Sequence, residues 1–190
     1  NTLTDVSDGV SLKLVKTTTA PVEVTVAADS AAVKTAVEDF VKSYNELANY
    51  IRTQTSFNEA SQTGGAMQGD SLVLGIQRQM RAVLNDPSSS SSVFGRLSDV
   101  GLSLQRDGTL AINASALDNG LANLGELQKL FATNGASNAD SGFMRRFKEL
   151  GDVLLGPEGA FDTRKDSLQA RIDRNAERQD QLEARLASTE

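Results

Sequence analysis

Apolar residues recur at two different periods along this chain, and each period predicts a different element. Val33, Val37, Phe40, Tyr44, Leu47 and Ile51 follow one another at spacings of 4, 3, 4, 3 and 4, the mark of a helix with one apolar stripe. Asp29 or Ser30 stands where an N-cap is wanted, and the pattern fades near Thr55. Leu72, Ile76, Met80 and Val83 predict a second helix, capped by Asp70 and stopped before Asp86-Pro87. Asn113 starts a short helix that Gly120 interrupts. Asn123 and Glu126, three residues apart, make a capping box for Leu127 to Ala132. Phe143, Met144, Phe147, Leu150 and Leu154 predict a further helix, closed by Gly156-Pro157.

The last helix is expected from about Thr163 to about Ser188. Its seam is Leu168, Ile172, Asn175, Gln179, Leu182 and Leu186, again at 4-3-4-3-4. Six basic and six acidic residues lie between Thr163 and Glu190, so the helix is solvated except along a narrow stripe that wants one partner helix. The stripe is polar in its middle, at Asn175 and Gln179. Such residues either fix register inside a seam or face water.

The period of two appears twice. Val100, Leu102 and Leu104 alternate with small or polar residues, as do Leu110 and Ile112. Asp107-Gly108 between them favours the positive φ angles of a tight turn. A β-hairpin is therefore expected at about 99–113, with Asp107 and Gly108 at its tip. Residues 1–28 also read as β: Val10, Leu12 and Leu14 alternate, as do Val22, Val24 and Val26, with Pro21 at a turn or edge. Two strands alone are marginal in water, so this segment is expected to belong to a larger sheet. The chain opens at Asn1-Thr-Leu-Thr without Met, and the expectation is of a fragment. Residues 61–69, with Gly64, Gly65 and Gly69, read as a loop. Ser88 to Ser92 reads as a flexible surface linker, and Asn134 to Asp140 as a polar loop.

Composition narrows the chemistry. The chain has 190 residues, enough for one domain or two small ones, and only 5% of them are aromatic; the core must be built from Leu, Val, Ile and Ala. It contains no Cys, His or Trp, which excludes disulfides, Cys or His metal sites and Cys or His catalysis. A net charge of −6 with dispersed Lys and Arg argues against nucleic acid, and no apolar run reaches the ~20 residues of a membrane span. The glycines at 64, 65 and 69 lack the Gly-Lys-Ser/Thr of a phosphate loop. Asp99 and Asp107 near one hairpin read as turn residues rather than an acid/base pair, and Asn113 as a helix cap rather than a glycosylation acceptor. Arg145, Arg146 and Lys148 read as a solvated helix face. Tyr44 and Leu47 read as core.

Several of these pieces, in this order, resemble the flagellar filament cap family, the hook-associated protein 2 family. The matching stretches are Asn1-Thr-Leu-Thr-Asp-Val with Gly9-Val-Ser-Leu, Phe40-Val41 with Tyr44-Asn45-Glu46-Leu47, and Gly69-Asp70-Ser71. Leu97-Ser-Asp-Val-Gly with Arg106-Asp-Gly-Thr-Leu, Asp166-Ser167-Leu168 and Ile172-Asp173 complete the set. The resemblance implies an α+β, predominantly helical fold: an antiparallel helical bundle or coiled-coil leg at 29–190, preceded by the last strands of a β-rich head at 1–28. It implies a non-enzymatic structural protein without cofactors. Such proteins form a ring-shaped homo-oligomer, commonly pentameric, at the filament tip. There they retain exported flagellin and promote its insertion. The implied partners are other copies of the chain, flagellin, the hook-associated junction proteins and an export chaperone; no nucleic acid and no membrane insertion are implied. The implied location is secreted and extracellular, at the tip of the flagellum. Two other readings stand beside it: a coiled-coil surface adhesin binding host glycans or mucin, and another axial protein of the hook–filament junction.

Overall fold

The computed structural model describes residues 2–7, 10–13, 15–23 and 29–188. Strands β1 (Thr2–Ser7) and β2 (Val10–Lys13) form an antiparallel pair, with Leu3 opposite Leu12. The partner of the Val10 strand is thus the segment before it. Val22 is exposed and outside any strand, while Leu14, Val24 and Val26 lie outside the described residues.

The helical part is built from six helices with a hairpin set among them. Helix α1 spans Ser30–Thr55, and Asp29 Oδ1 accepts from the Ala32 amide at 2.9 Å, which supplies one of the donors a helix start leaves unpaired. A two-residue pairing of β3 (Phe57–Asn58) with β4 (Thr63–Gly64) turns the chain back at the start of the expected loop. Helix α2 spans Ser71–Asn85. Asp70 Oδ1 caps it from the amides of Leu72 at 2.9 Å and Val73 at 3.2 Å. After a 3-10 turn at Leu97–Val100 come β5 (Leu102–Leu104) and β6 (Leu110–Ile112), antiparallel with Ser103 opposite Ala111. Helices α3 (Ala114–Leu121), α4 (Leu124–Ala132), α5 (Phe143–Leu155) and α6 (Ala160–Ala187) follow.

The core joins α1, α2, the hairpin, α3, α4 and α5; Val100, Leu117, Leu127, Leu130 and Phe143 are fully enclosed. On α1 the buried positions are Val37, Val41, Tyr44 and Ile51, with Phe40 partly buried. Val33 and Leu47, which the expected stripe includes, are exposed in this chain. Leu47 sits on the flank of the stripe away from Val41, where the described residues leave an open groove; Val33 shares its helical angle with the buried Ile51 but lies near the start of α1.

Two local expectations change. The hairpin tip is a three-residue loop: the Gln105 amide donates to Thr109 O at 2.8 Å, and the Gly108 amide to Gln105 O at 3.0 Å. Gly108 takes a φ of +91° while Asp107 keeps a negative φ. This is a turn ending in a left-handed glycine, in place of the two-residue turn that needs two positive angles. Asp107 Oδ1 instead accepts from the Thr109 amide and hydroxyl, at 3.0 and 2.7 Å. Helix α3 ends at Leu121, one residue past Gly120 as expected, and Gly120 packs so close to the 3-10 turn that a Cβ there would lie 3.3 Å from Val100 Cγ1. The capping box at α4 does not form: Asn123 makes no side-chain cap, and the Glu126 carboxylate is engaged by Lys129 and the serine run.

The serine run is ordered. Ser88 and Ser91 are buried. Ser88 Oγ donates to Ser141 O at 2.9 Å and Ser89 Oγ to Asp140 Oδ1 at 2.8 Å. Glu126 Oε2 accepts from Ser91 Oγ at 2.7 Å and from the Ser92 amide at 2.8 Å. Short hydroxyls meeting acceptors on two other segments make this a polar seam rather than a linker.

Candidate functional site: an open apolar groove and an arm

Two polar anchors fix the walls around the exposed surface. The first is the Tyr44-Asn45 pair on α1. Tyr44 OH donates to Gly108 O at 3.0 Å, and burial pushes its phenol pKa up. Asn45 Nδ2 donates to Leu110 O at 2.9 Å while Asn45 Oδ1 accepts from the Leu110 amide at 2.6 Å. The amide side chain thus stands in for a neighbouring strand along the edge of β6, satisfying both backbone groups of one residue.

The second anchor is Arg146. It is buried on α5, not solvated. Its Nε donates to Ser141 O at 3.0 Å, Nη1 to Asp86 O at 3.1 Å, and Nη2 to Pro87 O at 2.9 Å and Ala139 O at 3.2 Å. The guanidinium lies 5.1 Å from the Phe143 ring centroid. One side chain therefore ties α5, the end of α2 and the loop before α5 to one point. Its neighbours do read as a solvated face, pairing along the helix as Arg145–Glu149 and Lys148–Asp152. The spacing contained the signal: residue 146 is three after Phe143 and four before Leu150, on the apolar face. Asn45 likewise follows Val41 by four and precedes Ala48 by three.

Between α1, α2 and α5 these anchors leave an apolar groove of about 610 Å³. Phe40, Tyr44 and Leu47 line one wall, Ile76 and Met80 the floor, and Phe147, Leu150 and Leu154 the other wall; Phe161 of α6 stands at one end. The Phe147 ring meets Phe40 at 5.6 Å and 64° and Tyr44 at 6.0 Å and 73°, edge-to-face contacts that join α5 to α1. Leu47, Tyr50 and Leu155 are exposed along its rim. A contiguous apolar surface of this kind is a candidate contact surface.

From the groove end α6 projects as an arm. No described residue of it is buried; Leu168, Ile172, Leu182 and Leu186 of the expected seam are exposed, as are Asn175 and Gln179. The arm is held at its base by Arg164, whose Nη2 donates to Asp70 Oδ2 at 2.7 Å. The Val73 amide, the Leu72 amide and this guanidinium together hold the Asp70 carboxyl below its ordinary pKa. Asp99 and Asp107 serve backbone amides: Asp99 Oδ2 accepts from Gly95 and Arg96, each at 2.9 Å. Neither aims a free carboxylate at a cavity. No helix among the described residues is long and apolar enough to cross a membrane.

The chain has an α+β, predominantly helical fold with known relatives. Residues 1–190 match the family described as Flagellar hook-associated protein 2 C-terminus. The chain belongs to that family. It is 30% identical over 194 residues to the B-type flagellar hook-associated protein 2 of Pseudomonas aeruginosa, covering 99% of this chain and 40% of that protein. It is also 30% identical over 182 residues to the flagellar hook-associated protein 2 of Salmonella typhimurium, covering 90% and 38%. The crystal structure of the flagellar cap protein FliD from Escherichia coli (its D1-D2-D3 domains) superposes with a TM-score of 0.64 at 26% identity, covering 74% of this chain and 37% of that one. The chain therefore spans about 40% of the length of these relatives.

Proposed function

We propose that this chain is the C-terminal part of a flagellar filament cap, with residues 1–28 contributing strands to a head domain and residues 29–190 forming most of a helical leg. The observation that carries this reading is the open face of the leg. The apolar groove and the seam of α6 are continuous through Phe161, and both are shaped for helices from outside these 190 residues. In the intact protein Leu168, Ile172, Asn175, Gln179, Leu182 and Leu186 form a two-helix seam in which the two central polar residues set register. The groove takes the apolar face of a further helix.

The role is structural rather than enzymatic. The cap sits, secreted and extracellular, at the tip of the flagellum as a ring-shaped homo-oligomer, a pentamer, bound to the filament end above the hook-associated junction proteins. It retains exported flagellin and guides its insertion. An export chaperone shields the chain before assembly. The bundle supports such a role mechanically: polar anchors at Asn45 and Arg146 tie its segments together, while the arm is held only at its base, by Arg164 on Asp70 and by the packing of Ala160 and Phe161.

Deleting the gene tests the reading. Bare hooks with monomeric flagellin in the medium, reversed by the intact gene, are expected. Filaments of normal length without leakage would remove the cap role.

A further inference from the structure

The unpartnered face of α6 carries a charge pattern that specifies its partner. At the base of the arm, Phe161 lines the groove and Arg164 pairs with Asp70 at 2.7 Å. In seven-residue steps from Phe161 come Leu168, Asn175 and Leu182; in the same steps from Arg164 come Arg171, Arg178 and Arg185. The face that meets the bundle in the first turn therefore continues outward as a seam flanked by arginines, drifting only about 20° per heptad.

Nothing on α6 itself neutralises that column at its centre. Ion pairs along a helix form between residues three or four apart. Around Arg171 those positions are Ser167, Leu168, Arg174 and Asn175; around Arg178 they are Arg174, Asn175, Gln181 and Leu182. None is a carboxylate. Residues flanking an apolar seam face the flanks of the partner helix and select it by charge.

Building on the seam proposed above, we propose that α6 docks an amphipathic helix whose apolar stripe is flanked by carboxylates at seven-residue intervals. The contact between Arg164 and Asp70 is the first rung of that ladder, already made within the chain. A second copy of α6 is a poor match. Antiparallel, it sets the arginine column against itself. Parallel, with each flank meeting the opposite flank five residues on, it sets Arg171 against Ala176 and offers a carboxylate to Arg178 only at Glu183.

The test uses the whole 190-residue chain and two synthetic helical peptides as probes. The peptides share one apolar stripe with a polar centre and differ only in carrying Glu or Lys at the flanking positions. Fluorescence anisotropy is expected to show the Glu peptide binding roughly fivefold more tightly at low salt, with the advantage shrinking as salt screens it. The double variant Arg171→Glu, Arg178→Glu changes only exposed positions and is expected to reverse the preference while keeping its circular dichroism. Equal binding of the two peptides would overturn the charge selection and leave the seam standing. Binding of neither would overturn the seam and this proposal together. A chain that sediments as a dimer, dissociated by Leu182→Glu, would make a second copy the occupant and overturn it as well.

Discussion

Arg146→Met removes a buried cation and leaves most of its stem in place. Of the four carbonyls that the guanidinium serves, Ser141 O keeps the Ser88 hydroxyl at 2.9 Å and Ala139 O keeps the Ser89 amide at 2.8 Å. Asp86 O and Pro87 O have no other donor among the described hydrogen bonds. Both carbonyls belong to exposed residues, but their bonds to the guanidinium are partly buried; losing hydrogen bonds to a charged group costs about 1.5–3 kcal/mol, and the lost contact with Phe143 adds ~0.5–1 kcal/mol. Against this stands the relief of a charge that burial disfavours; desolvation already pulls the Arg146 pKa below its ordinary value. The balance is a loss of about 3 kcal/mol, equivalent to a fall of roughly 6–12 °C in Tm for a domain of this size. Urea unfolding followed by circular dichroism measures it. Arg146→Lys should fall between the two, because an ammonium keeps the charge but cannot span the fork. A loss below ~1 kcal/mol for the methionine variant would refute the reasoning: the carbonyls would then be hydrated, and the three segments held by other contacts.

Asn45→Ala unpairs the amide and carbonyl of Leu110 on the edge of β6 and should cost about 2–3 kcal/mol; faster hydrogen exchange at the Leu110 amide would localise the loss. Glu126 has its carboxyl pKa held down to about 2 from an ordinary 4.5, first by Lys129, then by Ser91 and the Ser92 amide. Its folded pKa lies below its unfolded one, so its contribution is complete above about pH 4.5 and fades as pH falls through about 2; Glu126→Gln should flatten the pH dependence of stability across that window. Leu182→Ala should cost less than ~0.5 kcal/mol in this chain, where the side chain is 54% exposed, and about 2–5 kcal/mol in the intact protein if the seam is closed there.

The helices were readable in the sequence because spacing and caps agree: Asp29, Asp70 and Asn113 each stand before an apolar stripe, and each accepts the amide hydrogen bonds expected of it. The hairpin was readable from Asp107-Gly108, although a dipeptide does not reveal loop length, and here the glycine alone takes the left-handed angle. The serine run was not readable as structure. Its partners, Glu126 and the 137–141 loop, lie 34 to 53 residues away, and local composition carries no trace of them. Arg146 was misjudged because a charged residue in a basic cluster is ordinarily solvated, although its place on the apolar face pointed inward. The seam of α6 was legible as a pattern without a partner, and it stays unpartnered among the described residues. The exposure of Leu47 followed from the same cause, since periodicity marks a face as apolar without saying which molecule covers it.

The proposed cap role requires the open groove to be covered by a helix of the intact protein. Tyr50 lies on its rim, 57% exposed, so Tyr50→Glu should leave the urea midpoint of this chain unchanged. The decisive measurement is the ratio of flagellin in the medium to flagellin in attached filaments, in cells whose intact gene carries that substitution. Leakage approaching that of the deletion is predicted; filaments of normal length and an unchanged ratio would contradict the claim.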